Sequence, residues 1–330
     1  MKILVTGGAG FIGSNFIRYW FTNHPKDEIV NLDKLTYAGH LSSLKDLPKS
    51  YAYTFIKGDI CDGKIVDKAM KGINVVVHFA AETHVDRSLL DPAAFIKTNF
   101  LGTQVLLEAA LRHNIKRFHH ISTDEVYGDL PLNSWRKFNE ESPIAPRSPY
   151  SASKAGAELL VRSYVQSFEM PATITNCSNN YGPFQDPEKF IPRMITNVID
   201  GEKIPIYGDG KYARDWLYVD DHSRAIEQVV LKGKLGETYC VGGMTDEISN
   251  LEVAQLVLKM MDKDQSNIEF VKDRPGHDRK YAVDWSKIKK ELTWSPSVDF
   301  EKGLVKTIRW YQENQWWWRP LKKRAESIYK

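Results

Sequence analysis

The chain has 330 residues, 42% hydrophobic and 26% charged, with a formal net charge of +3 at pH 7. That length exceeds one typical core, so one large domain or two coupled ones is expected. So small a charge argues against a nucleic-acid partner, and any anionic ligand must be held by local Arg and Lys. Cys61, Cys177 and Cys240 are far apart, odd in number and without a C-x-x-C pair. Neither a disulfide framework nor a metal site is indicated, and a reduced cytoplasm is expected. No basic segment leads into a long apolar run at the N-terminus, and the longest apolar stretch, around Val75 to Ala81, is too short to span a bilayer.

KILVTGGAGFIG reads as a buried strand, a glycine-rich turn and a helix from about Ser14 to Asn23. EIVNLDKL is a second strand ending near Asp33, YTFIKGDI a third, and NVVVHFAA a fourth, continuous in apolar residues as buried parallel strands are. A helix follows over roughly Pro92 to His113, then a fifth strand, RFHHIST, the helix YSASKAGAELLVRSYVQSFE, and a sixth strand, ATITNCS. This alternation predicts an α/β fold, a Rossmann-type doubly wound parallel sheet. After Asn179 the rhythm breaks into turns (NYGP, YGDGK, DRPGHD) and helices near Phe190 to Asp200, Asp221 to Leu231 and Leu251 to Met261. GETYCVGG reads as one more sheet strand, which makes a smaller, discontinuous C-terminal α/β domain the expectation. Residues 1–178, joined by about 213–243, would bind the cofactor; 179–212 and 244–330 would bind substrate. The tail WWWRPLKKRAESIYK is read as Trp packing beside a solvated charge cluster rather than as a nucleic-acid contact.

Gly7, Gly10 and Gly13 form G-x-x-G-x-x-G between a predicted strand and a predicted helix. Gly7 permits the tight turn, Gly10 lets backbone approach a pyrophosphate, and Gly13 permits close helix–strand packing. Asp33, twenty residues beyond Gly13, sits where a carboxylate accepts from ribose hydroxyls and repels a 2′-phosphate, which favours NAD over NADP, with Lys34 weakening that argument slightly. Asp59 is either an adenine contact or a strand-end cap. Tyr150 and Lys154 lie one helical turn apart, so the ammonium favours the phenolate and the pair is a candidate general base for alcohol oxidation. Thr123 ends a parallel strand facing the ligand crevice, followed by two adjacent carboxylates, Asp124 and Glu125. Redox chemistry alone needs neither carboxylate. An elimination needs one acid and one base on neighbouring carbons.

GGAGFIG, FAAETHVDRS, ISTDEVYG, YSASK, NNYGP and DRPGHDRKY together resemble the dTDP-glucose 4,6-dehydratase family across almost the whole chain. The resemblance implies tightly held NAD, regenerated each turnover, and a nucleotide sugar, dTDP-glucose, as substrate. Tyr150, helped by Lys154 and Thr123, would take the proton of the carbon-4 hydroxyl during oxidation. Glu125 would then remove the carbon-5 proton and Asp124, protonated, would donate to the departing carbon-6 hydroxyl. Phe11, Ile12, Lys34, Thr36, Ile60, Ala80, Ala81 and Thr98 would complete the cofactor site. His84, Asn179, Lys189, Phe190, Pro205, Ile206 and Tyr207 would line the sugar-nucleotide pocket, with Arg214, Asn250, Arg274 and His277 around the diphosphate and nucleoside. A homodimer through a four-helix bundle is implied as well. TQVLLEAAL and ELLVRSYV would suit such burial, or be covered by their own sheet. The base-recognition residues leave thymine against uracil open.

Overall fold

The computed structural model describes residues 1–273 and 276–326. Six strands, β1 (Lys2–Thr6), β2 (Glu28–Asp33), β3 (Ala52–Lys57), β4 (Val75–His78), β5 (Arg117–Thr123) and β6 (Ala172–Cys177), alternate with helices. A seventh, Thr238–Val241, returns from late in the chain to pair with β6. The sheet order is Thr238–Val241, β6, β5, β4, β1, β2, β3, with every neighbouring pair parallel. The order reverses between β1 and β4, so the strand ends there open a crevice suited to a ligand.

Strand periodicity explains the two-sided core. Ile3 and Val5 of β1 pack with Phe16, Ile17 and Trp20 of the first helix, Phe11–Asn23, on one face. Leu4 points to the other face, where Leu106, Leu107 and Val161 cover it. Much of the apolar run TQVLLEAAL is therefore covered by its own sheet. A separate core collects Ile191, Met194 and Ile195, Val253 and Val257, and Leu304 and Ile308. Helices Phe300–Glu313 and Gln315–Glu326, which the sequence reading left without an element, close this core. Trp317 and Trp318 are 3% and 0% exposed within it, while Trp316 is half exposed.

One predicted helix differs. Instead of a single run from Pro92 to His113, a short turn, Pro92–Phe95, leads into a π-helical segment, Ile96–Leu101, before regular helix resumes over Gly102–Arg112. Periodicity cannot see such a bulge, because it leaves the apolar spacing almost intact. Within it, Asn99 Oδ1 accepts from the Glu82 amide at 2.8 Å, and Nδ2 donates to Glu82 O and Ser153 Oγ. The widened turn binds the segment after β4 to the Tyr150 helix, and π-bulges commonly serve sites in this way.

Candidate active site

The glycine loop is shaped by close approach. Gly7 has φ +71° and a Cβ there would lie 2.6 Å from the Ala80 amide nitrogen; a Cβ on Gly13 would lie 2.4 Å from Gly7 O. The helix that follows starts at Phe11 with no side-chain cap on Gly10. Its first-turn N–H groups and positive dipole end are thus left to an anion. At the end of β2, the Asp33 carboxylate accepts from the amides of Ala9 (2.9 Å) and Leu35 (2.8 Å), and each oxygen keeps a lone pair for a ribose hydroxyl. Burial pushes its pKa up. Lys34 pairs with Asp59 at 2.8 Å, and Asp59 also caps the Cys61 amide. The lysine is thereby committed to a carboxylate.

One cleft gathers every residue expected at the cofactor: Gly7, Gly10, Phe11, Ile12, Gly13, Asp33, Lys34, Thr36, Asp59, Ile60, Ala80, Ala81, Thr98, Tyr150 and Lys154. These donors and this open glycine turn fit a dinucleotide. The sequence reading missed His40, Glu82, Cys177 and Ser178 in the same cleft. Glu82 and Ser178 follow the ends of β4 and β6, so the strand-end rule applied to every strand would have found them.

The chemistry-bearing groups stand at the inner end. Thr123 is the last residue of β5 and caps a short 3₁₀ turn, Asp124–Tyr127, by accepting from the Glu125 amide at 3.3 Å. Its hydroxyl donates to Asp124 Oδ1 at 3.3 Å, and Thr123 and Tyr150 line the same cleft. Asp124 is 1% exposed and its Oδ2 is buried without a hydrogen-bond partner. Burial first, then the neighbouring Glu125 charge and that of Asp215, hold the Asp124 carboxyl well above the ordinary carboxylate range.

Tyr150 is set by the helix Pro149–Phe168, which opens on a capping box between Ser148 and Ser151 with Pro149 in its first turn. Lys154 does lie one turn on, but its Nζ donates to Ile121 O at 2.7 Å. Burial lowers the Lys154 pKa to about 8. The Tyr150 pKa is raised well above normal by burial and by the Glu125 charge, opposite to the lowering expected from the Y-x-x-x-K spacing. A positive charge entering the cleft would work against that.

A second cleft meets the first at Glu125, Asn179 and Lys189, which line both. His84, Phe190, Pro205, Tyr207, Arg214, Asn250 and His277 line it as expected. Ile206 does not: it is 0% exposed and packs into the second core, since alternation along Ile204–Tyr207 sends its side chain inward. Arg274 lies outside the described residues. Lys189 Nζ donates to Thr83 O at 2.9 Å, and burial lowers its pKa. Arg214 is buried, donates to the carbonyls of Ala213, Asp278 and Arg279, and lies over the Tyr281 ring. His84 Nε2 is 3.6 Å from Glu188, which also holds Arg87. Lys322 of the last helix, bridging Asp200 and Glu202, lines the far end and was not foreseen.

A parallel sheet with a glycine-loop cleft joined to a second, cation-bearing cleft defines an enzyme of the nucleotide-sugar-modifying class. The GDP-mannose 4,6 dehydratase family model matches residues 4–307. A dTDP-glucose 4,6-dehydratase from Mycobacterium tuberculosis is 50% identical over 330 residues, covering 100% of this chain and 98% of its own. One from Streptomyces niveus is 49% identical over 331 residues, covering 99% and 97%. A dTDP-glucose 4,6-dehydratase from Streptomyces venezuelae, solved with NAD bound, superimposes with TM-score 0.94 at 45% identity, covering 97% of this chain and 100% of that one. The chain belongs to the dTDP-glucose 4,6-dehydratase family.

Proposed function

We propose that the protein converts dTDP-glucose to dTDP-4-keto-6-deoxyglucose by oxidation at carbon 4, elimination of water across carbons 5 and 6, and reduction at carbon 6. The observation that carries this reading is the pair Asp124–Glu125: a fully buried carboxyl with a raised pKa beside a second acid lining both clefts. NAD, when bound in the first cleft, supplies reversible hydride acceptance. Tyr150, ionised once the positive charge of bound NAD stands in the cleft, would receive the proton of the carbon-4 hydroxyl, and Thr123, which lines the same cleft, would hold the same oxygen. The carbon-4 carbonyl acidifies the carbon-5 proton, which passes to Glu125. Asp124, kept protonated by burial, donates to the carbon-6 hydroxyl so that it leaves as water; the hydride taken from carbon 4 would then return to carbon 6 and the proton held by Glu125 to carbon 5. Lys154 orders the end of β5 through Ile121 and adds positive charge beside the cofactor cleft.

In this reading residues 1–178 with 213–243 hold NAD, and 179–212 with 244–330 hold the nucleotide, whose diphosphate faces Arg214 and Asn250. A homodimer is part of the proposal, supported by exposed Leu90 (76%), Ile96 (53%), Leu101 (49%) and Leu159 (51%) on the helices beside the sheet. Sedimentation at micromolar protein as a monomer would contradict it. A cytoplasmic setting fits three cysteines that are all free, and no described helix is long and apolar enough to cross a membrane. The experiment for the reaction is Asp124→Asn: solvent exchange at carbon 5 should persist while water loss slows. Normal water loss in that variant would remove Asp124 from the role.

A further inference from the structure

Glu158 is a fully buried carboxylate, 0% exposed, that the reaction above does not use. It lies on the same helix as Tyr150 and Lys154, at two turns and one turn beyond them, and so on the same buried face. Its four hydrogen bonds tie three elements together. Oε2 accepts from Ser122 Oγ of β5 at 2.7 Å and from Asn176 Nδ2 of β6 at 2.8 Å. Oε1 accepts from Arg162 of its own helix, through Nη2 at 2.7 Å and Nε at 3.1 Å. Asn176 Nδ2 also reaches Thr123 O at 3.3 Å. A carboxylate in the interior is costly unless fully bonded, and this one is fully bonded.

The bonded atoms flank the catalytic groups. Ser122 immediately precedes Thr123, and Asn176 holds the Thr123 carbonyl. Lys154 Nζ grips Ile121 O one residue earlier on the same strand. The end of β5 is therefore fastened to the Tyr150 helix at Ile121 by Lys154 and at Ser122 by Glu158. Without the Glu158 bonds, the strand end would settle by local packing, and the Thr123 and Tyr150 hydroxyls would lose their common aim at one sugar oxygen.

We propose that Glu158 is a positioning residue for the oxidation step, fixing the Thr123 and Tyr150 hydroxyls on the carbon-4 oxygen by stapling the catalytic helix to β5 and β6. The proposal rests on the dehydratase reading above. It makes carbon-4 oxidation, rather than substrate binding or elimination, the step that depends on this buried acid. Misplacement of reacting groups by about 1 Å costs on the order of 10²-fold in rate.

The test compares Glu158→Ala, Glu158→Gln and Ser122→Ala with wild type on dTDP-glucose and on its carbon-4 deuterated form. Glu158→Ala should lower kcat by about 10²-fold and raise the carbon-4 isotope effect, while KM stays within about threefold. Glu158→Gln should recover most of the loss, because its amide oxygen still accepts from Ser122 and Asn176. Ser122→Ala, which deletes one bond and leaves the core volume almost unchanged, should show the same pattern more weakly and decides the matter if Glu158→Ala does not fold. Folded variants with wild-type kcat and isotope effect would overturn the proposal, as would a loss confined to KM. Wild-type protein that fails to turn over dTDP-glucose would overturn the dehydratase reading instead, so the control separates the two failures.

Discussion

The Thr123 hydroxyl donates to Asp124 Oδ1 at 3.3 Å, and the other oxygen of that carboxyl, Oδ2, is buried with no partner. A charged carboxylate so placed would leave the Oδ2 lone pairs unanswered by the protein, whereas a protonated one offers a hydrogen to an incoming hydroxyl. The arrangement makes Asp124 an acid by design of its surroundings, burial first and then its acidic neighbours Glu125 and Asp215.

Asp124→Asn keeps the shape and removes the transferable proton. Overall turnover should fall by about 10²–10⁴-fold, with carbon-5 exchange retained. Mass spectrometry in deuterated water separates exchange from loss of water, and equal loss of both would assign Asp124 a structural part only.

The same carboxyl sets a pH dependence of stability. Its folded pKa is raised well above the ordinary value, with burial the largest cause. Between the unfolded and folded pKa values the native state holds a proton that the unfolded state has released, so stability falls as pH rises through that window. Asp124→Asn escapes this penalty. Its melting temperature should exceed wild type by about 2 °C at neutral pH, with the gap closing below pH 4, as a thermal-melt series across pH would report.

Asp33 bonds the Ala9 and Leu35 amides and faces the cofactor cleft. Asp33→Asn should loosen the glycine-loop contact and weaken NAD binding by about tenfold, the equivalent of one charge-assisted hydrogen bond, with NADP gaining relative to NAD as the negative charge is lost. Titration calorimetry with both nucleotides checks it, and unchanged selectivity would show that Lys34 and Asp59 set the preference.

Trp318 is fully buried in the second core and its Nε1 donates to Tyr311 O at 2.7 Å. Trp318→Ala should cost about 3–5 kcal/mol, seen as a lower denaturant midpoint. A shift near zero would mean that the C-terminal helix does not close that core.

The sheet and the cofactor cleft were legible because buried parallel strands, a glycine turn and Asp33 leave local signatures. Even the return of Thr238–Val241 to the sheet was readable from GETYCVGG. The π-segment at Ile96–Leu101 was not, since one widened turn leaves the apolar spacing almost intact and its Asn99–Glu82 contact has no periodicity. Burial pushing the Tyr150 pKa up is hidden from the sequence for a related reason. The spacing puts Lys154 one turn away but says nothing of Ile121 O, which takes its ammonium, or of how deeply the phenol is buried. Ile206 shows the limit of a contiguous segment as a pocket: alternate residues of a strand face opposite ways.

The most direct measurement is incubation of the purified protein with dTDP-glucose and, in parallel, UDP-glucose, following the alkaline absorbance of the 4-keto sugar and the loss of water by mass. The account predicts 4-keto-6-deoxy product from dTDP-glucose in clear preference. Product from UDP-glucose alone would contradict the substrate, and a sugar returned intact from both would contradict the acid–base pairing of Asp124 and Glu125 itself.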